Sequence, residues 1–262
     1  MVTTERRNLR AYLQQRIRAG GLPVVGYLPG LYPDEENFAR EVDLLVKHGI
    51  SVLEVGIPGN TPPLEGDTIS AALTEVSRSV PDPLRVLRLS IAATYGAGAY
   101  PIAMAFAETV EEMGLQRFVQ EAAAAGASAI LVPDLPEERR RMLHKLAHEH
   151  GVQTVLFQAA WESPKELYGS EAFTYVQTAD MPTGGRFEPS EDLAERIASL
   201  RRATREDGAT LPLALGFGIK DRADVEATRK LGADIAVVGT ALVDAASGGI
   251  QRFSGYLDEL SS

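Results

Sequence analysis

Short apolar runs alternate with longer segments of mixed polarity along this chain, and one junction between them recurs four times. A helix-period segment ends at glycine, and an apolar run begins two or three residues later. The instances are His48-Gly49 before Val52-Leu53-Glu54-Val55, Ala125-Gly126 before Ala129-Ile130-Leu131-Val132, His150-Gly151 before Thr154-Val155-Leu156-Phe157, and Leu231-Gly232 before Ile235-Ala236-Val237-Val238. Glycine just past a helix end takes the left-handed conformation that terminates it. The brief, nearly continuous apolar runs suit parallel strands buried on both faces. The pattern predicts a repeated helix–strand unit, the mark of a wound parallel sheet.

Four further strands are expected, at Leu22 to Leu28, Pro101 to Phe106, Phe173 to Val176 and Leu213 to Gly216, which brings the series to eight. Helices are expected over Asp34 to Lys47, Pro83 to Ala93, Gly114 to Ala125, Glu137 to His150, Pro164 to Tyr168, Glu191 to Thr204 and Asp221 to Leu231. Another, Asn8 to Ala19, leads the series, and Gly249 to Leu260 closes it. Eight such units predict an α/β fold, a single (β/α)8 TIM barrel over residues 1–262 with an extra N-terminal helix. An open doubly wound sheet is the alternative. It usually carries a glycine-rich fingerprint after its first strand, which Gly26-Tyr27-Leu28-Pro29-Gly30 does not provide. The longest strandless stretches, Gly59 to Pro81 and Gln177 to Ser190, follow the second and sixth strands, where a barrel builds its active site.

Composition narrows the chemistry. The chain has 262 residues, 45% of them hydrophobic, with a net charge of −10 and no dense run of Lys or Arg. Nucleic acid and anionic membrane are therefore not expected as partners. There is no cysteine, which excludes disulfides, thiolate metal sites and a cysteine nucleophile. His144 and His148 stand four apart, but the flanking sequence lacks the glutamate of a metalloprotease helix, so a solvated helix end is expected there and no metal. Met1 to Arg10 is polar and basic, unlike a secretory signal. No apolar stretch approaches the roughly 18 residues of a membrane span, and a cytoplasmic location is expected.

Two features carry candidate chemistry. Glu54 interrupts an otherwise apolar strand. Alternation turns Leu53, Val55 and Ile57 one way and Val52, Glu54 and Gly56 the other. A carboxylate there is costly to bury unless something pairs with it or uses it. Glu65 follows in the loop after that strand. Acid/base chemistry at a strand's C-terminal end is one reading, and a structural acid held by backbone N–H groups is the other. The second feature is a set of glycine-bearing loops. Gly216-Phe217-Gly218-Ile219 follows the seventh strand, Val238-Gly239-Thr240 follows the eighth, and Thr183-Gly184-Gly185 lies after the sixth. Glycines let N–H groups approach an anion, and a short helix starting near Thr240 would aim its N-terminus at the same place. A phosphate site at this end is expected.

Taken together, the chain resembles the tryptophan synthase alpha subunit family. The motifs are Leu53-Glu54-Val55-Gly56-Ile57-Pro58 with Gly66 and Thr68 behind it, Val132-Pro133-Asp134-Leu135-Pro136, Phe173-Thr174-Tyr175, Thr183-Gly184 and Gly216-Phe217-Gly218-Ile219. The resemblance implies a lyase that cleaves indole-3-glycerol phosphate to indole and glyceraldehyde 3-phosphate without cofactor or metal. It places the catalytic acid/base at Glu54, and the acid that binds the indole N–H at Glu65, where the family has aspartate. Tyr27, Phe106, Tyr175 and Phe217 are the candidate aromatic walls. Thr183, Gly184, Gly218, Gly239 and Thr240 would form the phosphate seat, and Asp134 would orient the end of the fourth strand. A phosphorylated small molecule is thus the expected substrate.

The chain departs from the family in the loops over the aromatic end. Gly59-Asn60-Thr61-Pro62 replaces Phe-Ser-Asp-Pro, Thr178-Ala179-Asp180-Met181-Pro182 replaces a segment carrying arginine and glycine, and Phe106-Ala107-Glu108 replaces a Tyr-Asn segment. In the family these loops close over substrate and dock the β subunit, so a tryptophan synthase β subunit is an expected partner whose docking loops are altered. An aldolase of the same mechanism on another phosphorylated substrate, or a non-catalytic homologue that binds a partner protein, are the competing readings.

Overall fold

A computed structural model describes residues 8–59, 65–159, 162–169, 171–178, 187–203, 205–206 and 209–261. Eight parallel strands close into a barrel: β1 (Val24–Pro29), β2 (Val52–Gly56), β3 (Tyr100–Met104), β4 (Ala129–Leu131), β5 (Gln153–Gln158), β6 (Glu171–Gln177), β9 (Leu213–Gly216) and β10 (Ile235–Val238). Each pairs with its neighbour in the chain-order series, and β1 closes the ring against β10. A two-stranded hairpin, β7 (Arg205–Glu206) with β8 (Ala209–Thr210), precedes β9 and was not anticipated.

The helices pack around this barrel: α1 (Leu9–Arg18), α2 (Glu35–Lys47), α3 (Asp67–Ser79), α4 (Pro83–Gly96), α5 (Ala107–Met113), α6 (Leu115–Ala125), α7 (Glu137–Glu149), α8 (Glu191–Ala203), α9 (Arg222–Lys230), α10 (Thr240–Ser247) and α11 (Ile250–Ser261). Their starts are chemically set. The side chains of Asn8, Asp34, Asp82 and Asp221 accept hydrogen bonds from first-turn N–H groups, each contributing about 1 kcal/mol. Two of the expected glycine stops illustrate the ends: Gly49 and Gly126 have φ of 83° and 101°. Phe38 of α2, Phe118 of α6 and Phe253 of α11 are fully buried. The leading helix α1 lies at the barrel's N-terminal end. Its Arg10 N–H donates to Gln153 at the start of β5 (3.0 Å), and Tyr12 stacks on Tyr100 at the start of β3. The opposite mouth is left for a site.

Three helical expectations are corrected. The stretch after β2 contains a full helix, α3, which buries Ile69, Ala72, Leu73 and Val76 at helical spacing. A short helix, α5, fills the connection after β3. Pro164 to Tyr168 is not helical. Its polar groups are taken by buried side chains of the adjoining strands. The Gln158 amide donates to the carbonyls of Glu162 (3.2 Å) and Ser163 (3.1 Å) and accepts from Lys165 N–H (3.0 Å). The Glu171 carboxylate accepts from the N–H groups of Tyr168 and Gly169 (2.6 and 2.9 Å). The histidine expectation also changes. His144 lies half-buried, 3.3 Å from the Thr154 hydroxyl and edge-on to Tyr168, instead of in solvent. Among the described residues no group of acids and histidines is arranged to hold a metal, and no helix is long and apolar enough to cross a membrane.

Candidate active site

The barrel register decides which side chains meet. Tyr27, Glu54 and Ile102 are in register across β1, β2 and β3. Their side chains face the barrel axis, as the expected alternation in β2 required. At the C-terminal mouth, Tyr27, Glu54, Glu65, Tyr175, Phe217, Gly218, Gly239 and Thr240 all border one cavity of about 280 Å³. That is close to the lower end of small-molecule sites, roughly 300–1,000 Å³. Eight of the eleven expected site residues are therefore gathered in one place. Thr183 and Gly184 lie outside the described residues. Phe106 is the correction. It stands at the N-cap of α5 with its ring buried in the apolar core, and it does not border the cavity. β3 ends at Met104, and Met104 is the side chain that this strand presents.

Glu54 is 3% exposed, and its Oε1 has no hydrogen-bond partner among the described residues. The reading of a structural acid held by backbone N–H groups is not what this atom shows. Burial, with the nearby negative charge of Glu65 second, lifts the Glu54 pKa from 4.5 to about 8. The carboxyl thus holds its proton at neutral pH. Glu65 sits just before α3, where its carbonyl accepts from the Ser70 hydroxyl (3.3 Å). Tyr27 and Tyr175 are buried beside the two acids. Desolvation first, and the two carboxyls second, raise both phenols well above their ordinary value, so both stay neutral donors.

The aromatic wall is tighter than the sequence suggested. Phe157 of β5 meets Tyr175 edge to face at 5.6 Å, and Phe217 closes the triangle at 6.1 Å from Tyr175 and 6.5 Å from Phe157. Phe217 has a φ of 76°, a left-handed conformation that costs a bulky residue about 1–3 kcal/mol. The Thr178 hydroxyl helps to hold it, donating to the carbonyls of Gly216 (2.9 Å) and Phe217 (3.1 Å). Phe157 was missed. Its signal was its place at the C-terminal end of an apolar run, on the inward parity. Leu131, Pro133, Lys220 and Asp244 also border the cavity and were not anticipated as lining. Asp134 accepts the Ala107 N–H (2.8 Å), tying the end of β4 to the start of α5, as expected of an orienting residue.

The far end of the cavity is built from backbone. Gly218 has a φ of 84°, and Gly239 caps α10 without a side-chain hydrogen bond. The first N–H groups of that helix lack intrahelical acceptors and carry its positive dipole end. The site therefore has an aromatic, doubly acidic end and an end suited to an anion.

The sequence profile described as tryptophan synthase alpha chain matches residues 13–259. The chain belongs to the tryptophan synthase alpha chain family. The alpha chain of Prochlorococcus marinus (strain MIT 9313) is 33% identical over 234 residues, covering 87% of this chain and 83% of the relative. That of Methanopyrus kandleri is 30% identical over 224 residues, 84% of this chain and 79% of the relative. A solved structure of Mycobacterium tuberculosis tryptophan synthase superposes with a TM-score of 0.83 at 26% identity, covering 98% of each chain. For a tryptophan synthase alpha chain fold, the closed eight-stranded barrel with its added N-terminal helix is the expected architecture.

Proposed function

We propose that this alpha-chain homologue cleaves indole-3-glycerol phosphate by a retro-aldol reaction, with Glu54 as acid and base. The family activity is that of a carbon–carbon lyase. The single observation that carries the residue assignment is the cavity itself. Its one fully buried carboxyl keeps its proton to about pH 8, and it shares the cavity with a second acid and with the N-terminus of α10.

Glu54 gives its proton to ring carbon C3, and the ring takes up positive charge. The Glu54 carboxylate then removes the proton of the side-chain hydroxyl adjacent to the scissile bond. The O–H electrons form the aldehyde of glyceraldehyde 3-phosphate. The C–C bond breaks, and its electron pair returns to the ring to give neutral indole. Glu54 ends protonated, ready for the next cycle. Glu65 accepts the ring N–H and opposes the positive charge in the intermediate. Phe157, Tyr175 and Phe217 wall the ring, and the N–H groups at Gly218, Gly239 and Thr240 receive the phosphate. An alpha chain of this family normally pairs with a β subunit. With the loops at Gly59-Asn60-Thr61 and Thr178 to Pro182 rewritten, this one works without strong activation by a conventional β subunit. The test is indole release from indole-3-glycerol phosphate, with and without a β subunit. No release by the wild-type protein in either condition would refute the substrate assignment.

A further inference from the structure

Two tyrosines enter the cavity by the same device. The phenol of Tyr27 on β1 lies over Gly56 of β2, and the phenol of Tyr175 on β6 lies over Gly216 of β9. A Cβ at either glycine would collide with the hydroxyl above it. Each glycine is thus a notch that seats a neighbouring strand's ring. The base of Tyr27 lies beside Gly239, close enough that a Cβ added there would stand 3.6 Å from the Tyr27 Cβ and 3.8 Å from its Cδ1. Tyr27 thus reaches from beside Gly239 to a point over Gly56, with its ring buried. The Tyr27 oxygen is buried and has no hydrogen-bond partner among the described residues, and neither has Oε1 of Glu54, its in-register neighbour. Leaving such groups unpaired and out of water is unfavourable. Two of them on adjacent strands of one cavity make an arrangement that a later state of the reaction can satisfy.

We propose that Tyr27 is a positioning residue for Glu54: its hydroxyl donates a hydrogen bond to the Glu54 carboxylate once that carboxyl has given up its proton. The inference rests on Glu54 being the acid/base. With Glu54 protonated, the carboxyl offers the hydroxyl only a neutral acceptor, and the Tyr27 oxygen makes no hydrogen bond among the described residues. When the proton has passed to the ring, the nearby phenol meets a carboxylate in a water-poor space, and charge-assisted hydrogen bonds are strongest there. The bond would stabilise the state between the two proton transfers and hold the carboxylate on the substrate side. The groups facing Glu54 are Tyr27 from β1, Glu65 from the loop before α3 and Tyr175 from β6; Lys220 and Asp244 border the cavity further out. Glu65 opposes ionisation of Glu54, and the phenols are its neutral donors. Glu65 is the larger charge acting on Tyr27 and Glu54 the larger acting on Tyr175; Tyr27 is set apart by standing in register with Glu54 on the adjoining strand and by its buried oxygen, unpartnered among the described residues.

The test is Tyr27→Phe, which keeps the ring in its notch and removes only an unpaired hydroxyl, so the fold should be retained; circular dichroism and thermal unfolding check this. Glu54 is titrated by carbon NMR of the 13C-labelled carboxyl in the wild-type and variant proteins, without substrate. The expected result is a Glu54 pKa higher in Tyr27→Phe by about half a unit or more. With indole-3-glycerol phosphate, kcat should fall about 10-fold at pH 7 with KM unchanged, and the alkaline limb of the rate should move to higher pH. An unmoved NMR titration in a folded variant overturns the proposal and leaves Tyr27 a packing residue. The titration needs no turnover. A wild-type protein that shows the Tyr27-dependent shift but releases no indole overturns the substrate assignment and leaves the Tyr27–Glu54 interaction standing.

Discussion

Replacing Glu54 by Gln should stabilise this protein while disabling it, and the size of the gain follows from the structure. Below about pH 4.5 the carboxyl is protonated in both the folded and the unfolded chain, so its ionisation costs the fold nothing. Between 4.5 and about 8 the unfolded chain releases the proton and the folded chain retains it. Each pH unit in that window then favours unfolding by about 1.4 kcal/mol, until the loss levels off above pH 8 at about 5 kcal/mol. From pH 5 to pH 7 the loss is about 2–3 kcal/mol. Gln fills the same space and does not ionise. The stability of Glu54→Gln relative to wild type should therefore rise by about 2–3 kcal/mol between pH 5 and pH 7. Urea unfolding of both proteins at both pH values measures this, and comparing the proteins at each pH cancels the titration of every other group. In parallel, turnover should drop at least ~100-fold with KM little changed, because the amide cannot shuttle the proton. A stability difference that stays constant with pH would refute the buried, proton-holding carboxyl, and near-normal turnover would refute its catalytic role.

Glu41 makes the same argument away from the cavity. It is fully buried in α2, neither carboxylate oxygen has a hydrogen-bond partner among the described residues, and burial, with Asp34 second, lifts its pKa to about 8. Glu41→Leu should raise urea stability by about 3 kcal/mol at pH 7 and by much less at pH 5, with catalysis unchanged; destabilisation at pH 7 would count against the reasoning. Because Glu54 must carry its proton to begin the reaction, kcat/KM should fall as pH rises past about 8, and a profile flat to pH 9.5 would show that another group supplies the proton. Thr240→Asp places a negative charge at the start of α10 and should abolish binding of glycerol 3-phosphate by calorimetry; retained binding would move the phosphate elsewhere. Titrating a conventional β subunit into the assay should raise indole release by less than ~10-fold, which is ~1.4 kcal/mol of coupling, and a larger rise would mean that the rewritten loops still transmit.

The barrel was legible in the sequence because its constraints are local and repeated. A parallel strand covered on both faces must be apolar for several residues, as at Ile235–Val238, and a helix that turns back into such a strand needs a residue that tolerates positive φ, as at Gly49 and Gly126. Glu54 was legible for the opposite reason, since a charge in such a run is expensive. The helix at Asp67–Ser79 was also written in the spacing of Ile69, Ala72, Leu73 and Val76, but proline and glycine before it drew the whole stretch toward a loop. What the sequence did not determine is how far each strand runs before its chain leaves the mouth. That length, with the strand stagger, made Met104 a lining residue and turned Phe106 into core, and it brought Phe157 against Tyr175 and Phe217. The irregular path through Pro164 to Tyr168 depends on Gln158 and Glu171, whose partners are chosen across the loop they hold. The fit of Tyr27 over Gly56 belongs to the tertiary structure alone, because a ring on one strand and a missing side chain on the next become a single feature only when the register sets them side by side.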